Sequence, residues 1–420
     1  MARTFARAVA ALRCADWLTP RVVLLIAFAA SVLSVDLLTR DIIFHTASGL
    51  TDRSGGPVGT DFINYWSSAH LATEGRSALA YDLQQFHGIE EALIGQGITL
   101  RIYTYPPVAM LLTWPLAALP FIPALIVWLS LGAAICASLL SRIAGWPMAV
   151  TAVLGAPAAM MNIHAGQNGF FVAAALAGGF MLLDRRPVLS GVVFGLLCCK
   201  PQMALLLPLA LLAGGHWRTI GAATATVATM AGVSLLAFGA DVWTAFFRQA
   251  GLLHQLVDDY SNWWRFMPTV YAAMRTFGAV AVAANWAQGA SALAAAAIVI
   301  VVWRGRHSTE IKAATLVVGT FLVTPYAWDY DMVVTVFAAG WLAREGMRSG
   351  FLPWEKLTIA ALLAFPPVMS LTATFLPLHI GPEVLWATLA VLRHRSLAFP
   401  PPVTAAVALI PGHPAARVAR

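Results

Sequence analysis

The sequence predicts an all-α, polytopic integral membrane protein with about 12 (11–13) transmembrane helices. Hydrophobic residues make up 60% of the 420 and charged residues only 11%, roughly half the charge that a soluble domain needs on its surface. Mean hydropathy is +0.76. After residue 106, apolar segments recur almost without pause, separated by Gly, Pro or short basic clusters. Residues 1–420 therefore read as a single membrane domain. The net charge of +7 is scattered between the apolar spans, a pattern that sets orientation in a bilayer and offers no nucleic-acid surface. Cys14, Cys136, Cys198 and Cys199 have neither metal-ligand spacing nor the look of a disulfide framework.

The first apolar segment, 22–38, follows Arg3, Arg7, Arg13 and Arg21 and is long enough to cross about 30 Å of hydrocarbon. No small-residue cleavage site follows it, so it reads as a retained helix. Residues 40–105 are the one long hydrophilic region, an extracytoplasmic loop with two helical pieces. In the first, Phe62, Tyr65, Trp66 and Ala69 fall at helical spacing behind Asp61. In the second, Asp82 caps a helix with a Phe86, Ile89 and Leu93 stripe that ends at Gly95 or Gly97. Aromatic-rich amphipathic helices of this kind are expected in the interface plane. Residues 106–120 are read as re-entrant, because the stretch from Tyr105 to Pro120 holds four prolines. Spans follow near 122–141, 147–162, 169–183, 187–199, 201–214, 219–238, 281–303, 312–324, 330–343, 356–376 and 383–392. Residues 398–420 form a tail or a further span.

With the N-terminus inside, the clusters at Arg142, Asp184–Arg186, His216–Arg218, Arg304–Lys312, Arg344–Lys356 and Arg393–Arg395 all become cytoplasmic. The outer connections then collect Asp61, Tyr103, Tyr105, His164, Gln167, Asn168, Lys200, Gln202, Arg265, Asp329, Asp331 and His379. A pocket opening outward would gather polar groups in this way.

Asp61 has two compatible readings, an N-cap for the helix behind it or a general base facing a membrane-bound substrate. Lys200 breaks the positive-inside pattern. It either snorkels toward headgroups or meets a lipid phosphate, and Arg265 is a second cation or an interface anchor. Gln167 and Asn168 either cap a helix break or hydrogen-bond sugar hydroxyls, and His164 beside them is equally ambiguous. Asp329 and Asp331 resemble the carboxylate pair with which nucleotide-sugar transferases hold a divalent cation. Those enzymes carry it on a soluble α/β domain, so the reading here is hydrogen bonding or charge pairing with Lys200 or Arg265, without metal. The small residues of Gly191–Gly195 read as helix packing.

Taken in order, "DFINYWSSAHLATEGRSALAYD", "YTYPP", "GQNG", "DRRP", "CKPQ", "MPTVYAAMR", "TPYAWDYD" and "GFLPWEK" resemble glycosyltransferase family 87, a bacterial family that includes polyprenyl-phosphate-mannose-dependent mannosyltransferases. The resemblance implies a GT-C membrane fold in a bacterial inner membrane, with the active site on the extracytoplasmic face. It also implies a polyprenyl-phosphate donor of mannose or another hexose, a lipid or glycan acceptor, and no cofactor. An Asp early in the first outer loop is the base in that class, and Asp61 matches it. The nearest rival, Asp52, lies in a Gly-rich stretch without the aromatic helix. Lys200 and Arg265 are then candidates for the donor phosphate. Tyr103, Tyr105, His164, Gln167, Asn168, Gln202, Asp329 and Asp331 are candidates for sugar or acceptor contacts. A transporter, a flippase or a non-catalytic lipid-binding protein is the alternative, although no internal repeat is visible and the polar groups gather toward one face.

Overall fold

The computed structural model describes residues 11–46, 49–51, 55–376 and 378–399. Asp52 and the segment from 400 onward, which holds nearly all of the expected tail, lie outside the described residues. Apart from one antiparallel bridge between Thr51 and Pro57, the regular elements described are helical. In chain order they are α1 (Pro20–Thr46), α2 (Phe62–Thr73), α3 (Leu83–Ile94), α4 (Pro107–Thr113), α5 (Phe121–Ala144), α6 (Trp146–Gly155), α7 (Pro157–Ala165), α8 (Gly169–Leu182) and α9 (Pro187–Gly195). They continue as α10 (Leu207–Ala213), α11 (Trp217–Phe238), α12 (Ala240–Asp259), α13 (Val270–Thr276), α14 (Ala281–Arg304), α15 (Thr309–Val323), α16 (Val333–Ser349), α17 (Glu355–Phe375) and α18 (Gly381–Ala398).

Among the described residues, α5, α11, α14 and α17 are each long and apolar enough to cross a membrane. The pair α6 and α7, bent by 55°, adds a fifth if counted as one broken span. The proline at the start of α7 explains the break, since it cannot donate to the preceding turn. The burial pattern is that of helices solvated by lipid. The residues that α11 buries are Thr219 and Ser234, while Leu236 is 88% exposed. A helix in water shows the opposite arrangement. On α14, Gln288 and Ser291 point inward, and both donate to the Leu322 carbonyl, at 2.9 and 3.0 Å. They satisfy the free carbonyl end of α15, where Pro325 stops the helix. Gly191 packs against the Thr219 backbone of α11, in agreement with the packing reading of Gly191–Gly195.

Three expectations are corrected. The first loop helix does not lie on a surface: Asn64, Ser67 and Ser68 are buried along with the aromatic residues of α2. The short segment α4 and the 3₁₀ turn Trp114–Ala118 cover it, and Trp66 Nε1 donates to the Leu119 carbonyl at 2.9 Å. On α3, the Asp82 cap is present, with Gln85 N donating to Oδ1 at 3.0 Å. Its buried residues, however, are Phe86 and Glu90, and Leu93 is exposed. Residues 240–259, expected to be a connection, form the amphipathic helix α12. It carries Asp241, Arg248, Asp258 and Asp259, too much charge for a span, but docks Val242 and Phe246 into the core around α2.

Candidate active site

The carboxylate of Asp61 does not cap α2: Asp61 stands at the N-cap position without a side-chain cap bond. Its backbone N–H donates to the Ala165 carbonyl at 3.1 Å, which ties the start of α2 to the end of α7. The side chain turns toward two donors, Gln167 Nε2 at 3.0 Å on Oδ2 and Arg101 Nη1 at 3.2 Å on Oδ1. The capping alternative is therefore set aside.

Gln167 is reached through a tight turn. Gly166 ends α7 in the left-handed region, φ +60°. The amide of Gln167 then sits between three partners. Tyr65 OH and Tyr105 OH donate to its Oε1 at 2.6 and 2.8 Å. A carboxylate can only accept, so the amide nitrogen must face Asp61, and the two phenols complete the other end. The Tyr65 and Tyr105 rings pack with centroids 5.0 Å apart.

The next residue holds the cation. Lys200 Nζ donates to Asn168 Oδ1 at 3.0 Å and forms an ion pair with Asp331 Oδ1. Asp331 Oδ2 accepts from Trp328 N at 3.1 Å. The ammonium also lies 4.9 Å from the Tyr330 ring and 5.9 Å from the Tyr105 ring. Consecutive amides thus hold Asp61 and Lys200, with Tyr105 between them. The two charge pairs differ in access. The Lys200 and Asp331 side chains are 2% and 0% exposed, whereas those of Arg101 and Asp61 are 26% and 23% exposed. Asp61 and Arg101 are the partly exposed pair of the cluster.

The other expected residues are less central. Asp329 is buried and accepts from its neighbour Tyr330 N at 2.7 Å, and burial pushes its carboxyl up to about 7. Tyr103 is buried among Tyr81, Phe86 and Tyr105 as an aromatic wall. Gln202 is half-buried two residues beyond Lys200 and makes no hydrogen bond to this cluster, and His164 is exposed in the last turn of α7. Arg265 is half-buried in the 3₁₀ turn Ser261–Phe266, its guanidinium 4.7 Å from the Phe266 ring and its Nε unpartnered. It does not join the Lys200 and Asp331 pair. His379 Nε2 donates to the Trp264 carbonyl at 3.2 Å and pins that turn. Burial pushes His379 down to about 4.

Sequence reasoning missed Arg101, Tyr65 and Glu90. Arg101 carried only a weak signal, since it is one of four arginines, with Arg40, Arg53 and Arg76, in the connection read as outer. Tyr65 looked like one member of an aromatic stripe, and Glu90 lies outside the Phe86, Ile89 and Leu93 stripe that the sequence marks on α3.

The family model for Glycosyltransferase family 87 matches residues 103–325, just over half of the 420. The matched region contains Tyr103, Tyr105, His164, Gln167, Asn168, Lys200, Gln202 and Arg265, while Asp61 lies before it and Asp329 and Asp331 after it. No curated protein and no solved structure matches the chain.

Proposed function

The chain belongs to glycosyltransferase family 87 and is a multi-pass membrane glycosyltransferase; from that premise we propose that it is an inverting enzyme using a polyprenyl-phosphate hexose, with Asp61 as general base. Mannose is the first sugar to test, and the acceptor is a lipid or glycan at the extracytoplasmic face of a bacterial inner membrane. The proposed architecture is a GT-C fold with about 12 spans, counting the shorter helices with the long ones. Residues 40–105 form an outer loop, and 106–120 dip into the outer leaflet.

One observation carries the assignment of Asp61: a carboxylate at a helix start declines the backbone bonds available to it and is held instead by Gln167 and Arg101, while staying partly exposed. Each oxygen keeps room for a further bond, so an acceptor hydroxyl can donate to Asp61 without displacing either anchor. As the acceptor oxygen attacks the anomeric carbon, its proton passes to Asp61. The new C–O bond forms as the bond to the phosphate oxygen breaks on the opposite face, and the configuration inverts. Phosphate leaves readily as an anion, so a second carboxylic acid is not required. Lys200 and Arg265 are the cations proposed to stabilise the departing charge. Lys200 would do so in competition with Asp331, and Arg265 through its unpartnered edge.

Tyr105 bonds Gln167, which bonds Asp61, while Asn168 and Asp331 both bond Lys200, so their proposed part is to hold the base and the lysine. Tyr103, His164, Gln202 and Asp329 remain the proposed sugar or acceptor contacts.

The test is transfer of radiolabelled mannose from polyprenyl-phosphate mannose to membrane acceptors by the purified full-length protein. Asp61→Asn keeps the shape and the bond from Gln167 but cannot take a proton, and is expected to lose at least 100-fold in rate with unchanged abundance and thermal stability. Wild-type rates in that variant would remove Asp61 as the base.

A further inference from the structure

Glu90 is fully buried and both of its carboxylate oxygens lack a hydrogen-bond partner. Buried polar groups are nearly always paired, so a doubly unpartnered carboxyl needs an explanation. Its surroundings follow from the path of the chain. After α3 ends at Ile94, the chain turns at residues 96–97 and continues without regular structure through 98–104. The Phe86 ring lies 6.1 Å from the Tyr103 ring. Glu90 is one turn beyond Phe86 on the same face of α3, and Arg101 is two residues before Tyr103. The Phe86–Tyr103 contact brings the two stretches together, and Arg101 is close enough to act on the Glu90 carboxyl. Arg101 gives Nη1 to Asp61, and its buried Nε has no partner.

We infer that Glu90 is a positioning residue that acts through Arg101: while neutral it leaves Arg101 on Asp61, and on losing its proton it draws the guanidinium away. Asp61 then keeps Gln167 as its one anchor. Burial pushes the Glu90 carboxyl up to about 8, against the attraction of Arg101 and with the repulsion of Asp61. Those two are the charged groups acting on it. The other ionisable groups on the surrounding elements are Tyr65, His70, Tyr81 and Tyr103, while His87 and Glu91 face each other at 3.8 Å on α3. The inference deepens the proposed role of Asp61 and rests on it for the rate measurement alone.

The first measurement needs no substrate. Apparent Tm of the full-length protein in detergent is followed from pH 4 to 9 for wild type and Glu90→Gln. An unfolded glutamate loses its proton near about 4.3, and folded Glu90 near about 8. Between those values the folded state holds a proton that the unfolded state has released, so wild-type stability falls as pH rises and levels off above 8. Glu90→Gln lacks this term, so its Tm advantage should widen from about pH 4.3 to 8. In an Arg101→Gln background the upper end of that window should move to higher pH. Parallel Tm curves for wild type and Glu90→Gln would overturn the inference. Glu90→Ala serves the same comparison if the amide variant does not accumulate. The second measurement is the pH profile of transfer from polyprenyl-phosphate mannose. Wild type should decline above about pH 8 and Glu90→Gln should not; the same decline in both would also overturn it. If neither protein transfers mannose, the proposed function fails, and the thermal measurement still decides the case for Glu90.

Discussion

Lys200 and Asp331 meet where neither charge reaches water, which makes the pair dangerous to halve and tolerant of whole replacement. Removing one partner of such a pair strands the other and typically costs about 3–5 kcal/mol, whereas replacing both with apolar residues of similar volume is often neutral. Lys200→Met should therefore destabilise the protein by about 3–5 kcal/mol, and adding Asp331→Leu should recover most of that loss. Chemical denaturation in detergent measures both; a double variant as unstable as the single one would mean that the pair is not the energetic unit. Transfer activity should stay low in the double variant if Lys200 also serves the donor phosphate. The lysine was legible in the sequence as a cation on the wrong side of a charge pattern. Its partner was legible as one of several open choices: Asp329 and Asp331 read as pairing with Lys200 or Arg265, and the structure joins Asp331 to Lys200 across 131 residues, a choice that local spacing cannot make. Gln167 was legible as a residue type but not as a role. An amide reads as a sugar ligand until Tyr65 and Tyr105 are seen to occupy its oxygen.

The turn between α7 and α8 shows what the sequence conveys about an element and what it leaves out. Glycines flanking Gln167 and Asn168 mark a helix break, and the break is there. The reason for the second glycine lies in another element. A Cβ on Gly169 would stand 2.4 Å from the Tyr330 carbonyl oxygen and 2.5 Å from Asn162 Oδ1, the atom that accepts from Gly169 N at 2.7 Å. Gly169→Ala would push the Asp329–Met332 turn off the start of α8, separating Asp331 from Lys200. The expected loss is about 1–3 kcal/mol of stability, together with most of the transfer activity. Gly178→Ala on the same helix is the control. Its Cβ would meet neighbours at 3.8 and 3.9 Å, and alanine is the better helix former by about 1 kcal/mol. Equal behaviour of the two variants would show that the close approach at Gly169 is not essential. Helix positions from α5 to α11 were readable from apolar runs bounded by Gly, Pro and basic residues. The burial of α2 and the helicity of α12 were not, since both depend on what packs against them.

At the scale of the whole molecule, two buried ion pairs stand at opposite ends of α16. Asp331, two residues before its start, binds Lys200. Glu355 binds Arg395 just past its end, with Arg395 Nη1 donating to Glu355 Oε1 at 2.7 Å and Nη2 to the Glu345 carbonyl at 2.8 Å. The 17 residues of α16 span roughly 25 Å, most of the thickness of a hydrocarbon core. Around the Arg395 end gather Glu310, Arg344 and Arg348, the basic connections expected in the cytoplasm. Around the other end gather Asp61, Gln167 and Lys200. The polarity of the molecule therefore makes a topological prediction independent of catalysis. With Cys14 replaced, a cysteine at exposed His164 should react with a membrane-impermeant thiol reagent in intact bacterial cells. One at exposed Arg185 should react only after the membrane is opened. Modification of both positions from the same side would break the one-faced arrangement, because α8 alone separates those two connections. A reversed result, with position 185 accessible and position 164 protected, would turn the pocket toward the cytoplasm, where a donor carried in the outer leaflet could not reach Asp61.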